Sequence, residues 1–192
     1  MAKFTPEEIL AKVAAGERLE GDELRGAVLS ARDDLSGANL TGANLQFITL
    51  RGFNLSRADL SEADLWKAGL HGADLSEADL SGANLILVHL NGANLHLANL
   101  RGANLSWADL READLTGANL SEARFRKAKL YDAKYDADTK WTEGFDPVVA
   151  GMILTTALRM LAIPLIAFEP ASIIEATANT GYDMSYLASY LC

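Results

Sequence analysis

The sequence predicts an all-β core: a four-sided parallel coil of stacked β units, closed by an N-terminal helix and by helices at the C-terminal end. Three observations predict it. Every fifth residue from Leu35 to Leu120 is leucine, and the beat continues through Phe125, Leu130 and Tyr135, 21 units in all. A small residue, usually alanine, stands two positions before each, as at Ala38, Ala43, Ala58 and Ala63. Asp or Asn usually stands one position before, as in "SGANLTGANL" and "SEADL". A repeat this regular is read before anything else.

A period of five fits neither the 3.6 of a helix nor the 2 of a strand. It makes sense if each unit is one side of a square. The central residue and the residue two before it then point inward, and the other three point outward or form the corner. Four units make one coil of 20 residues, and coils stack through backbone hydrogen bonds about 4.8 Å apart. Leucine stacks on leucine, and the alanines leave room for them in a narrow interior where volumes must match. Asp or Asn bonds the turning backbone, and glycine at corners such as Gly37 and Gly82 suits unusual torsions.

The flanks follow in order. Residues 1–16 read as a capping helix: Thr5 as N-cap, Pro6 at the first position, Glu8 completing a Thr-x-x-Glu box, Ile9, Leu10 and Val13 as its apolar stripe, Gly16 as its end. Leu19, Leu24 and Leu29 keep the five-residue beat, but Leu29 to Leu35 is a step of six, so 17–34 is an irregular first coil with an insertion near Ser30–Asp33. The repeat runs over 17–140. Residues 131–145 wind it down, with Tyr135, Trp141 and Phe145 suited to plugging its open end. The segment 141–192 is expected to be helical, beginning at Asp146-Pro147 and continuing through the apolar run 148–168, with shorter helices at 171–179 and 183–191. Three readings compete for 148–168: an end cap, a homodimerisation surface, or a membrane span. Arg159 near its middle and Pro164 weigh against the span. A stacked β core exposes unpaired edges at both ends, so some cover is required.

At 192 residues the chain has room for one domain with appendages. The single cysteine, Cys192, excludes an intramolecular disulfide, and the acidic N-terminus lacks the apolar run of a secretory signal, so a cytoplasmic location is expected. The net charge of −9 is uneven: residues 34–130 carry 9 basic and 11 acidic side chains, whereas 131–192 carry 3 and 8. Nothing in the repeat resembles the basic face of a nucleic-acid binder, and no direct nucleic-acid contact is expected.

The stretch "ANLSWADLREADLTGANLSEA" resembles the pentapeptide-repeat family, whose consensus is A-(D/N)-L-x-x. The resemblance covers about 17–140 and implies a right-handed quadrilateral β-helix. The opening "PEEILAKVAAGERL" and the closing "YDADTKWTEGFDP" are most similar to the end regions of cyanobacterial members. The family includes gyrase-binding quinolone-resistance proteins and regulators of cyanobacterial cell differentiation, beside many members without an assigned activity.

Laid out in fours, the repeat shows where it departs from itself. Sides one and two, centred on the Leu35 and Leu40 series, follow the consensus, with Asn interleaved among Asp so that carboxylates seldom face one another. Side three, centred on the Leu45 series, closes with the outward pairs Gln46-Phe47, Trp66-Lys67, Ile86-Leu87 and Ser106-Trp107. On the adjoining edge of side four, Thr49, Gly69 and His89 replace Asp or Asn. The 20-residue coil stacks these along one corner as an apolar strip of Phe47, Trp66, Ile86, Leu87 and Trp107 with His89. Arg51, His71, Asn91 and Arg111 run beside it, and Arg124, Arg126, Lys127 and Lys129 lie below. The strip reads as a protein-binding surface, self-association included. Intramolecular cover by the C-terminal segment and tolerated scatter are the alternatives. The residues selected for protein binding are Phe47, Trp66, Ile86, Leu87, His89 and Trp107, with Arg51 and Arg111.

Enzyme chemistry is not expected. His71, His89 and His96 have no cysteine or carboxylate at ligand spacing, so no metal or other cofactor is assigned. The carboxylates occupy repeated structural places, and neither a phosphate loop nor a serine elbow is present. The reading that follows is a regulatory protein–protein scaffold with an unidentified partner. The alternatives are a DNA mimic that binds a type II topoisomerase, for which the repeat body is too nearly neutral, and a membrane-associated module using 148–168.

Overall fold

A five-residue unit becomes one side of a square because each unit ends in a β-turn. In the computed structural model, which describes residues 34–155 throughout and Glu8, Ile9, Ala11, Lys12, Ala15 and Glu17 before them, the Ala38 N–H donates back to the Leu35 carbonyl at 3.1 Å. The third residue of that turn, Gly37, takes a left-handed φ of 64°. The same bond closes every unit as far as Ala133, whose N–H donates to Leu130 at 3.0 Å. The Asp or Asn before each central residue supports the turn. Its carboxyl or amide oxygen accepts the N–H two residues on, as from Ser36 to Asp34 (2.9 Å) and Ser81 to Asp79 (2.8 Å).

Between corners one residue per side is left to pair with the neighbouring coil. Asp59 donates its N–H to Ala38 at 2.9 Å and accepts from Leu40 at 2.7 Å, which brackets Asn39 in parallel register. Such pairs repeat every 20 residues from Asp34↔Asn54 to Asp114↔Lys134. One paired residue per side is too few for a strand, so the described residues form a four-sided parallel β-helix made almost wholly of isolated bridges.

The interior is as the alternation of leucine and alanine requires. The central residues from Leu35 to Leu120 and the small residues two before them are all buried. Burial of each leucine contributes about 1.5–3 kcal/mol against leaving it in water. Phe53, Ile48 and Val88 stand in places usually held by alanine and are buried as well. Outside, the mixing of Asn with Asp has a direct use. The side-chain amide of Asn84 donates to Asp64 one coil back (2.9 Å), and Asn94 and Asn99 do the same to Asp74 and Asp79 (2.9 and 3.1 Å). A carboxylate thus meets a donor rather than a second carboxylate.

Near the C-terminal side the coil keeps its sides but changes its count. Asn119 pairs with Lys140, 21 residues on, and the strands β1 (Lys134–Tyr135) and β2 (Ile153–Leu154) pair in parallel 19 apart. The extra residue is held in a loop around Asp136, whose carboxylate accepts from the N–H groups of Gly117 (2.9 Å), Asp138 (3.1 Å) and Thr139 (3.0 Å). Burial alone would raise its pKa; these hydrogen bonds, with that of the Thr139 hydroxyl, outweigh burial and hold it below the ordinary value. Phe125, Tyr135, Trp141 and Phe145 form an aromatic cluster with ring centroids 4.7–6.2 Å apart, packed against the leucine core.

The helix expected from Asp146-Pro147 is replaced, within the described residues, by a single turn. Asp146 accepts the N–H groups of Val148 (2.9 Å) and Val149 (3.2 Å) as an N-cap does, but Gly151 then takes a φ of 74°. The chain returns to extended geometry as β2, where the Ile153 N–H donates to the Ala133 carbonyl at 2.8 Å. The open edge of the last coil supplies unpaired carbonyls, and pairing with them overrides the apolar pattern read as helical. At the other end, Glu8, Ile9, Ala11 and Lys12 are helical, and Ile9 is buried in the same apolar cluster as the leucines. Thr5, Pro6, the first coil at 18–33 and the helices expected beyond 155 lie outside the described residues.

Candidate functional site

The departures on sides three and four share one corner because the bridges stack at 20. Three outward columns run along the coil axis there. The first turn residues are Gln46, Trp66, Ile86, Ser106 and Arg126; the second are Phe47, Lys67, Leu87, Trp107 and Lys127; the ladder residues of side four are Thr49, Gly69, His89, Asp109 and Lys129.

The second column is unlike its three counterparts. Every one of its five residues holds a left-handed φ, between 55° and 64°, and none is glycine. The equivalent column of side two has Gly42, Gly82 and Gly102, and that of side four has Gly52, Gly72 and Gly92. A side chain in left-handed geometry costs roughly 1–2 kcal/mol per residue, and such strain persists where something else requires the side chain. The strained residues here are also large and in water: Phe47 is 44% exposed and Trp107 48%.

Local contacts fix them. Phe47 meets Trp66 edge-on at 4.8 Å between centroids, a geometry adding about 0.5–1.5 kcal/mol. The Lys67 ammonium lies 4.6 Å from the Trp66 ring centroid and 6.0 Å from that of Phe47, and the Lys127 ammonium lies 4.2 Å from Trp107. Between the second column and the ladder column runs a groove of about 510 Å³ lined by Phe47, Lys67, Leu87, His89, Trp107, Asp109, Lys127 and Lys129. Along the second column it spans four coil steps, about 19 Å at ~4.8 Å per step.

Of the residues selected from sequence, the groove brings together Phe47, Leu87, His89 and Trp107. Trp66 and Ile86 are half-buried one column to the side, Trp66 supporting Phe47 and Lys67 from below. Arg51 is exposed away from the groove. Arg111 acts through Asp109: its guanidinium donates to both carboxylate oxygens, at 2.8 and 2.6 Å. That bidentate bond, more than the other nearby groups, holds the Asp109 carboxyl below its usual pKa. Sequence reasoning did not select Lys67 and Asp109 as wall residues, and it placed Lys127 and Lys129 only below the strip. The signal for Lys67 and Asp109 was available in the 20-residue columns, where Lys67 sits between Phe47 and Leu87, and Asp109 between His89 and Lys129.

The charge around the corner is lopsided. Elsewhere on the repeat body, Arg57 pairs with Glu77 and Arg101 with Glu122, one coil apart. At the corner, Arg111 is taken by Asp109, while Arg51, Lys67, Arg124, Arg126, Lys127 and Lys129 make no ion pair among the described residues. Among those residues no group of three or more His, Cys, Asp or Glu is placed to hold a metal ion, and no helix is long and apolar enough to cross a membrane.

Comparison with known proteins bears on the family. The model of "Pentapeptide repeats" matches in 8 copies, over residues 34–57, 54–92, 70–106, 78–117 and 103–134. Among solved structures, HetL, a pentapeptide repeat protein involved in heterocyst differentiation regulation from Nostoc sp. strain PCC 7120, is 28% identical. The match covers 78% of this chain and 92% of that one, with a TM-score of 0.48. The pentapeptide repeat protein alr5209 from Nostoc PCC 7120 is 33% identical over 79% of this chain and 96% of its own, with a TM-score of 0.35. QnrB1, a plasmid-mediated fluoroquinolone resistance protein, is 20% identical over 76% of this chain and 92% of its own, with a TM-score of 0.45. No curated protein matches. The superpositions are too loose to carry an argument, but the matched repeats span residues 34–134 and coincide with the turn-and-bridge units, so the chain belongs to the pentapeptide-repeat family, whose fold is the right-handed quadrilateral β-helix.

Proposed function

We propose that the protein is a non-enzymatic interaction scaffold of regulatory type, which binds a protein partner through the groove on the side-three corner. Pentapeptide-repeat proteins are generally structural or interaction proteins rather than enzymes, and the leucine-filled interior leaves the outer columns as the place for specificity. One observation carries the reading to this corner: five successive non-glycine residues, two of them exposed aromatics, held at left-handed φ where the other corners use glycine in part. Aromatic anchors with a polar rim are what protein interfaces favour.

The test is quantitative capture from source-cell extract with the wild-type chain, the double variant Trp66→Ser/Trp107→Ser, and Leu97→Ser on another corner as control. The double variant is expected to keep its circular dichroism and lose a partner that the control retains. Retention of every captured protein by the double variant would remove the corner from consideration. Inhibition of gyrase supercoiling at sub-micromolar protein would favour the DNA-mimic alternative, which the cations of the corner do not support.

A further inference from the structure

The chemistry of the groove is specific enough to describe what it takes, and this step rests on the corner being the binding surface. We infer that the groove accepts an extended, acidic segment of a partner protein, lying along the coil axis, with an apolar side chain between two carboxylates.

The shape sets the direction. The groove runs across successive coils rather than along a side, so a bound chain lies parallel to the stack. The charges set the spacing. Lys67 and Lys127 stand three coils apart on one wall, about 14 Å at ~4.8 Å per coil. Each ammonium rests over an aromatic ring and neither has an ion-pair partner among the described residues, so both charges are positioned before any ligand arrives. Leu87 and Trp107 fill the wall between them. An extended chain rises about 3.3 Å per residue and returns to the same face every second residue. Carboxylates four residues apart therefore reach the two lysines, and the residue midway lies on Leu87 and Trp107. Lys129, on the opposite wall beside Lys127, adds a second cation at that end.

A nucleic-acid strand fits less well. Its charges are continuous, whereas the cations here are separated by an apolar stretch, and Asp109 places a carboxylate in the facing wall. The Arg111 bond engages that carboxylate without removing it.

The test uses the full chain and fluorescein-labelled peptides in an anisotropy titration. One peptide carries the core Glu-Thr-Phe-Thr-Glu, a second Lys-Thr-Phe-Thr-Lys, a third Glu-Thr-Ser-Thr-Glu, and an oligo-dT strand is included. At 50 mM salt the first is expected to bind at least tenfold tighter than the other two peptides and the DNA, and its advantage over the basic peptide is expected to shrink at 500 mM. The variant Lys67→Glu/Lys127→Glu, both at exposed positions, is expected to keep its melting curve and to reverse the order of the acidic and basic peptides. Equal binding of the peptides, an order unchanged by the charge swap, or tighter binding of oligo-dT would each overturn the inference. Those results leave the corner itself standing if Trp66→Ser/Trp107→Ser still loses its captured partner; if that partner is retained, the corner reading is what fails.

Discussion

The corners of sides two and three are built on one backbone and decorated in opposite ways. Glu62 and Gly82 on side two take φ values of 57° and 68°; Lys67 and Leu87 on side three take 55° and 59°. The turn bond is the same, at 3.1 Å for Ala63 to Leu60 and 2.9 Å for Ala68 to Leu65. Yet side two satisfies the left-handed position with glycine in three coils of five, and side three with none. The fold is therefore indifferent to what stands at this position beyond its preference for glycine. Phe47, Leu87 and Trp107 oppose that preference, which separates what the coil needs from what its surface does.

If the two corners differ only on the outside, truncating the core beneath them has equal effects. Leu80→Ala and Leu85→Ala, both fully buried, should each lower unfolding free energy by about 2–5 kcal/mol, as read from urea denaturation. A clear difference between them would mean that the corner reaches into the core. A smaller effect comes from moving one corner's chemistry onto the other. Gly82→Trp places a large side chain at φ 68° and should cost roughly 1–2 kcal/mol. Its new Cβ also meets the Glu62 carboxylate, which must swing away. An unchanged melting curve would show that left-handed side chains are free in this fold, and the strain argument would fall.

The smallest expected effect is one of pH. The bidentate bond from Arg111 depresses the folded-state pKa of Asp109, so the stabilisation is complete above the ordinary carboxylate value of about 4. It is lost as pH falls through that value toward the folded one. Asp109→Asn should give a shallower loss of stability on acidification below about pH 4, with the same curve at pH 7 apart from a constant offset. Identical acid slopes for the two proteins would remove Asp109 from the account.

Much of the fold was legible because a strict period leaves few solutions. Leucine at every fifth place and alanine two before it require two inward residues per unit, and the Asn-for-Asp exchanges are intelligible once columns form at 20. The corner could be located by the same columns, as Phe47, Leu87, His89 and Trp107 show. What the sequence did not reveal was the difference in depth between the two turn columns. Trp66 and Trp107 look equivalent as outward aromatics, but one is the first turn residue and lies half-buried, while the other is the second and stands out at a left-handed φ. Asp109 looked like one more consensus aspartate, although its column is otherwise stripped of them. The helical reading over 148–155 failed for another reason: Ile153 and Leu154 answer to an open edge contributed by Lys134 and Tyr135, a partner 19 residues away that no local pattern announces.

The central claim is that the corner's strained side chains serve binding and not folding, and Trp107→Gly separates the two most directly. Glycine relieves about 1–2 kcal/mol of left-handed strain, gives back roughly 0.5–1 kcal/mol as backbone entropy, and loses the contact with Lys127, about 0.5–1 kcal/mol. Thermal unfolding should therefore stay within about 1 kcal/mol of wild type, while affinity for the captured partner, measured on the same preparation, falls by about 2 kcal/mol or more. A variant that unfolds more than about 2 kcal/mol more easily and, wherever it is folded, binds as tightly as wild type would contradict the claim and return Trp107 to the fold.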